Sequence, residues 1–111
     1  MNKKLFYALY SEFCKTLANP KRQEILDNLR RKEMPVKELM ETTGIPQANL
    51  SQHLSLLRSK GIVTARRQGN TIYYSLTHPK IIKAFDLIGE VLRDLLKSQS
   101  ETISSVTRRK K

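Results

Sequence analysis

The feature that most constrains the fold is a change of period at Gly61. Residues 46–60 read Pro-Gln-Ala-Asn-Leu-Ser-Gln-His-Leu-Ser-Leu-Leu-Arg-Ser-Lys, a helical pattern with Leu50, Leu54 and Leu57 on one side. Gly61 supplies the stop. Two β-like runs follow at once, 62–67 and 71–76, with Ile62, Val63, Ile72, Tyr73, Tyr74 and Leu76 providing β-branched and aromatic residues. Gln68-Gly69-Asn70 joins them with turn chemistry. This half of the chain is therefore a short helix passing directly into a hairpin.

Upstream, the punctuation marks three more helices. Leu5, Phe6, Leu9, Phe13 and Leu17 recur at helical spacing. Asn19-Pro20 restarts the chain, with Asn19 able to cap and Pro20 suited to a first helical position. The second helix is expected to run to about Arg31 with Ile25, Leu26 and Leu29 inward, until Glu33-Met34-Pro35 breaks it. A third short helix takes 36–43, burying Val36, Leu39 and Met40, and Gly44-Ile45-Pro46 forms a tight link to the fourth. The last helix starts near His78-Pro79 and is expected to reach about Ser98. The fold class is thus mainly α with a small β-hairpin, in the order four helices, two strands, one helix.

The chain has 111 residues, which fits one small domain with a modest core. It holds 21 Lys and Arg against 10 Asp and Glu, a net charge of +11, and its pI is near 10.1. Such an excess favours an anionic partner, nucleic acid first and an anionic membrane surface second. One cysteine, Cys14, excludes an intrachain disulfide and is compatible with a reducing cytoplasm. No apolar run is long enough to span a bilayer and no signal-peptide pattern is present, so the expected location is cytoplasmic.

The charge is segregated. Residues 42–85 contain no Asp or Glu, yet carry Arg58, Lys60, Arg66, Arg67, Lys80 and Lys83. At about 100° per residue, Gln47, Ala48, Ser51, Gln52, Ser55 and Arg58 cluster opposite the leucines of the fourth helix. A solvated helix face in a charged protein usually carries Glu and Lys. This face carries amides, hydroxyls and a methyl, groups able to approach base edges closely. A carboxylate there would meet phosphate charge at short range. Arg66 and Arg67 lie toward the hairpin tip, where a two-stranded ribbon can follow a phosphate strand or enter a minor groove.

The terminal helices carry more apolar surface than one domain of this size needs. The last one offers Ile81, Ile82, Phe85, Leu87, Ile88, Val91, Leu92, Leu95 and Leu96, and the first adds Phe6, Tyr7, Tyr10 and Phe13. Together they point to a homodimer built on Phe6, Tyr10, Phe13, Phe85, Ile88, Leu92 and Leu95. Residues 1–98 form the expected domain. The tail 99–111, poor in apolar residues and ending Arg-Arg-Lys-Lys, is expected to be disordered.

Four segments resemble the ArsR/SmtB family of winged helix-turn-helix repressors. They are Phe13-Cys-Lys-Thr-Leu-Ala-Asn-Pro-Lys-Arg-Gln-Glu-Ile-Leu26, Asn49-Leu-Ser-Gln-His-Leu-Ser-Leu-Leu57, Gly61-Ile-Val and Arg67-Gln-Gly-Asn-Thr-Ile-Tyr-Tyr-Ser-Leu76. They stand in the family order and cover about residues 5–96. The resemblance implies a dimer on a palindromic double-stranded DNA operator, with a recognition helix in each major groove and a wing on flanking DNA. It places Gln47, Ala48, Ser51 and Gln52 at the base-reading positions and Arg66, Arg67, Gln68 and Gly69 in the wing; with their neighbours Asn49, Ser55 and Arg58 on the helix and Asn70 in the wing, these are the expected DNA-binding residues.

The family's familiar metal sites do not carry over. Where one type has Cys-Val-Cys-Asp-Leu, this chain has Pro35-Val36-Lys37-Glu38-Leu39. The other type uses Asp and His on the last helix, where this chain offers His78 and Lys80, then Val91 and Asp94. Neither set makes a zinc tetrahedron, so no metal and no cofactor are expected. His78 reads as a surface residue or helix start, and His53 as a group that packs or bonds locally. A Cys14–Cys14 bridge across a dimer would need Cα atoms within roughly 7 Å, and a lone cysteine is more often a small core residue. The competing reading is a non-specific architectural protein that coats DNA, against which the amide-rich helix face argues. A protein–protein winged module fits poorly with the missing carboxylates. Enzymatic chemistry has no Cys–His pair, carboxylate pair or phosphate loop to rest on.

Overall fold

The first two helices start at asparagine caps. The Asn2 side chain accepts from the Leu5 N–H at 2.8 Å and opens α1 (Lys3–Leu17). The Asn19 side chain accepts from the Arg22 N–H at 3.1 Å and opens α2 (Pro20–Asn28), with Pro20 in the first turn. The computed structural model describes residues 1–109. Its remaining elements are β1 (Met34–Pro35), α3 (Val36–Thr43), α4 (Gln47–Ser59), β2 (Val63–Gln68), β3 (Thr71–Leu76) and α5 (Lys80–Arg109). They fall into two units, Met1–Pro79 and the long helix α5. The domain expected over residues 1–98 spans both.

The expected hairpin is part of a three-stranded antiparallel sheet in the order β1-β3-β2. β1 pairs Met34 with Tyr74 and Pro35 with Tyr73, on the far side of β3 from β2. The segment read as a helix breaker is therefore an edge strand, a position that tolerates proline. The same pairing explains why α2 ends at Asn28 rather than near Arg31. The chain must become extended by Met34, which is buried.

The core of the first unit is made by Ile25, Leu26 and Leu29 of the α2 region, Met34, Leu39, Ile45, Leu50, Leu54, Leu57, Ile62 and Val63. Val36 and Met40, expected inside, are half-buried. α1 adds no fully buried apolar side chain to it, Leu17 being half-buried; its one buried residue is Thr16. Instead α2 side chains cap its end. Arg22 Nη1 donates to the Thr16 carbonyl at 2.8 Å and Gln23 Nε2 to the Leu17 carbonyl at 2.9 Å.

Two glycines set the geometry around the sheet. After α4, the Gly61 N–H bonds the Arg58 carbonyl and the Ile62 N–H reaches the Leu57 carbonyl, with Gly61 at φ +75°. That is the double-bonded left-handed helix end that glycine permits, and it turns the chain straight into β2. At the ribbon tip, Gln68 pairs with Thr71, so the loop is only Gly69-Asn70. Gly69 has φ +62° and no non-glycine residue has positive φ among the described residues, which suits a hairpin turn with glycine first. Thr77 closes the base, its Oγ1 donating to the Gly61 carbonyl at 2.6 Å.

α5 runs without interruption through Arg109, eleven residues beyond the expected end at Ser98. The stretch 99–109, expected to be disordered, is thus helical. Its composition is weak for a helix, but it extends an existing one, and propagation adds a bond per residue without the nucleation cost. The Thr102 hydroxyl donates to the Ser98 carbonyl at 3.0 Å. Residues 110 and 111 of that tail lie outside the described residues.

Candidate nucleic-acid interface

α4 divides as its phase requires. Leu50, Leu54 and Leu57 are fully buried. Gln47, Ala48, Asn49, Ser51, Gln52, Ser55 and Arg58 are all exposed. Among the described residues, no intramolecular hydrogen bond engages the side chains of Gln47, Asn49, Ser51, Gln52, Ser55 or Arg58. By phase, Asn49 stands on the far flank of the face near Leu56, about 60° beyond Gln52. Pro46 precedes the helix and gives no side-chain cap, so the first-turn N–H groups carry no side-chain partner. The face has donors and acceptors of both kinds, a single cation and no carboxylate.

His53 sits beside this face and is half-buried. Burial holds its imidazole below the ordinary 6.5, and the nearby Arg22 and Lys21 cations push the same way. It is a packed group at the edge of the helix, as expected from its phase.

The wing treats its two arginines differently. Strand alternation and the register place Val63, Ala65 and Arg67 on one face of the sheet with Met34, Tyr74 and Leu76. Thr64, Arg66 and Gln68 are on the other face with Pro35 and Tyr73. Glu33, one residue before β1, joins this second face. Its carboxylate accepts from Arg66 Nε at 2.8 Å and also from Arg66 Nη2. Arg66 Nη1 donates to Gln68 Oε1 at 2.9 Å, and the guanidinium lies 4.6 Å from the centre of the Tyr73 ring. The hydrogen bonds from Arg66 hold the Glu33 carboxyl below the usual carboxylate range, and the same pair raises the Arg66 pKa. Arg67 has one internal bond, from Nε to the Gly69 carbonyl at 3.1 Å.

Of the expected wing residues, Arg66, Arg67, Gln68, Gly69 and Asn70 are all exposed and at the distal half of the ribbon. Glu33 was not foreseen. Nothing local in Lys32-Glu33-Met34-Pro35 marks it as a wing residue, because its place depends on pairing with a strand some forty residues later.

The apolar stripes of the two terminal helices are open in the single chain. On α1, Phe6, Tyr10 and Phe13 are exposed, with the Phe6 and Tyr10 rings 5.8 Å apart. On α5, Ile88 is 66%, Leu92 54% and Leu95 56% exposed, while Phe85 is half-buried. Cys14 is half-buried on α1. At the helical position where a thiolate would serve a metal, α3 presents the exposed ammonium of Lys37, which does not fit such a group. Among the described residues no three His, Cys, Asp or Glu side chains gather, and no helix is long and apolar enough to cross a membrane.

Known proteins share this arrangement. Residues 19–65 match the family described as "Bacterial regulatory protein, arsR family". The chain is 42% identical over 82 residues to the nodulation protein NolR of Rhizobium meliloti, covering 74% of this chain and 67% of that protein. The crystal structure of Rv0081 from Mycobacterium tuberculosis matches at 40% identity with a TM-score of 0.77, covering 85% of this chain and 95% of that one. The homodimeric winged helix-turn-helix DNA-binding domain of Mb0332 from Mycobacterium bovis matches at 30% identity with a TM-score of 0.73, covering 87% and 92%. At 40% identity and with the same fold over 85% of its length, the chain belongs to the ArsR family of winged helix-turn-helix transcriptional regulators.

Proposed function

We propose that the protein is a cytoplasmic homodimeric repressor that reads an operator palindrome with α4 in the major groove and the ribbon tip on flanking DNA. The observation that carries this reading is the outer face of α4. Its amides and hydroxyls are exposed, without internal partners among the described residues, and free of carboxylates. Gln47 and Gln52 are suited to bidentate contacts with adenine, and Ser51 and Ser55 to either base type. Arg58 and Arg67 supply phosphate contacts. The stripe of α1, through Phe6, Tyr10 and Phe13, and separately that of α5, through Phe85, Ile88, Leu92 and Leu95, are apolar faces that a second copy would cover. Mb0332, a relative of the same fold, is homodimeric.

Selection of bound duplexes from random DNA by the purified chain tests this. The expected product is an inverted repeat whose half-sites lie about one helical turn apart, ~34–36 Å, or a multiple of it. Recovery of DNA with no motif, and uniform protection of genomic fragments, would mark a coating protein instead. In a cell, placing the recovered motif over a reporter promoter should lower its output; raised output would show activation rather than repression.

A further inference from the structure

The geometry points to Arg66 as the residue that positions the wing, through a clamp to Glu33, and not as one of its DNA contacts. This rests on the DNA-binding reading above. Three features of the sheet carry it. First, Glu33 adjoins one edge strand and Arg66 lies on the other, so their ion pair spans the sheet across the central strand. Second, the link is two-pronged, Nε and Nη2 both reaching the carboxylate, a fork that fixes orientation as well as distance. Third, the guanidinium sits over the Tyr73 ring while Nη1 holds Gln68, the last residue before the turn.

The clamp complements the core. On the inner face of the sheet, Met34 and Val63 are buried, but only at its base. Ala65 and Tyr73 are half-buried, and from the Arg67–Ile72 pair outward the ribbon is exposed. A two-stranded ribbon is marginal by itself in water, so its distal half needs another support. On the outer face Arg66 provides one, joining the residue before β1, Tyr73 of β3 and the residue before the turn through a single side chain. Each of its three nitrogens donates there, whereas Arg67, one residue on and pointing to the opposite face, has a single internal bond among the described residues. The two adjacent arginines divide the work: Arg66 sets where the ribbon points, and Arg67 meets the phosphate.

Two signs separate this from a direct contact. Replacing a phosphate-contacting arginine lowers the slope of log affinity against log salt by about 1. Replacing a positioning arginine weakens binding without removing a counterion. Second, Glu33→Gln removes a negative charge from a DNA-binding surface and frees Arg66. If Arg66 contacts DNA, that change strengthens binding; if Arg66 is a clamp, it weakens binding.

The experiment measures affinity against salt for the full chain on the duplex recovered by selection, with hydroxyl-radical footprints. Glu33→Gln and Arg66→Gln should each weaken binding by about two- to fivefold, with the salt slope unchanged. Footprints should thin on the flanks while the palindrome stays protected. Arg66→Lys, which keeps the charge but loses the fork, should behave like Arg66→Gln, and Arg67→Gln should lower the slope by about 1. A wild-type-like Arg66→Lys, a tighter Glu33→Gln, or a slope loss in Arg66→Gln equal to that of Arg67→Gln would overturn the inference. Should Arg66→Gln fail to fold, Glu33→Gln and Arg66→Lys decide alone. Wild-type chain that binds no duplex would sink the DNA-binding reading itself, a different failure.

Discussion

The outer face of α4 and the outer face of the wing are both polar and exposed, yet they stand in opposite states of readiness. On α4, Gln47, Asn49, Ser51 and Gln52 have their donors and acceptors turned to solvent. On the wing, the arginine that looks most available by charge is already bonded to Glu33 and Gln68 and stacked on Tyr73. A free amide that meets a base edge loses only hydration and rotamer freedom. Arg66 would first have to leave charge-assisted bonds, which are roughly twice as strong as neutral ones. Exposure and charge therefore do not by themselves identify a contact; what matters is whether the group's bonding capacity is already engaged inside the protein.

The sharpest way to break this contrast lies on the helix. Gln52→Ala should reduce discrimination between the selected operator and a scrambled duplex by about 1–3 kcal/mol. Affinity for the scrambled duplex should stay near wild type, since phosphate contacts are untouched. Competition binding at one salt concentration reads both numbers. Equal losses on the two duplexes would mean that Gln52 contributes to docking and not to reading, and α4 would lose its standing as the readier of the two surfaces.

The wing side of the contrast can be sharpened at its tip. Gly69 holds φ +62°, and a Cβ built there meets nothing within 4 Å. Any penalty of Gly69→Ala is thus backbone strain alone, about 1 kcal/mol of stability. Denaturant midpoints measure it, and Gly69→Asn, which tolerates the left-handed region better, should recover part of the loss. If Gly69→Ala is neutral, the tip is not held in this conformation and the clamp behind it has little to position.

Much of this was readable from the chain, for local reasons. Leu50, Leu54 and Leu57 repeat at helical spacing, Asn19-Pro20 caps and starts α2, and Gly69-Asn70 turns the ribbon. Each signal lies within a few residues of what it specifies. The free face of α4 was legible for the same reason, since a helix fixes the phase of its own side chains. What could not be read depends on distant pairing. Met34-Pro35 looks like a helix stop and becomes a strand only because Tyr73 and Tyr74 come alongside. That same pairing delivers Glu33 to Arg66, a partner no local signal announces. The span of α5 differs from the expected one for another reason: Ser and Thr are weak helix-interior residues, but they can continue a helix already formed.

The smallest expected effect concerns the boundary of the ready surface, at His53. Its imidazole is half-buried against the inner side of α4 and faces the cations of Arg22 and Lys21, so its folded pKa lies below the ordinary 6.5. Between 6.5 and the lowered value, the unfolded chain takes up a proton that the folded chain refuses, so stability falls as pH falls through that window and is level above it. Thermal melts at about pH 7.5 and about pH 5.5 should show the loss in the wild type and a smaller one in His53→Gln, whose side chain cannot take up the proton. The difference between the two proteins isolates residue 53 from the acid response of the rest. A loss of equal size in both would place His53 in solvent, and the packed side of α4 would begin at Leu54 instead.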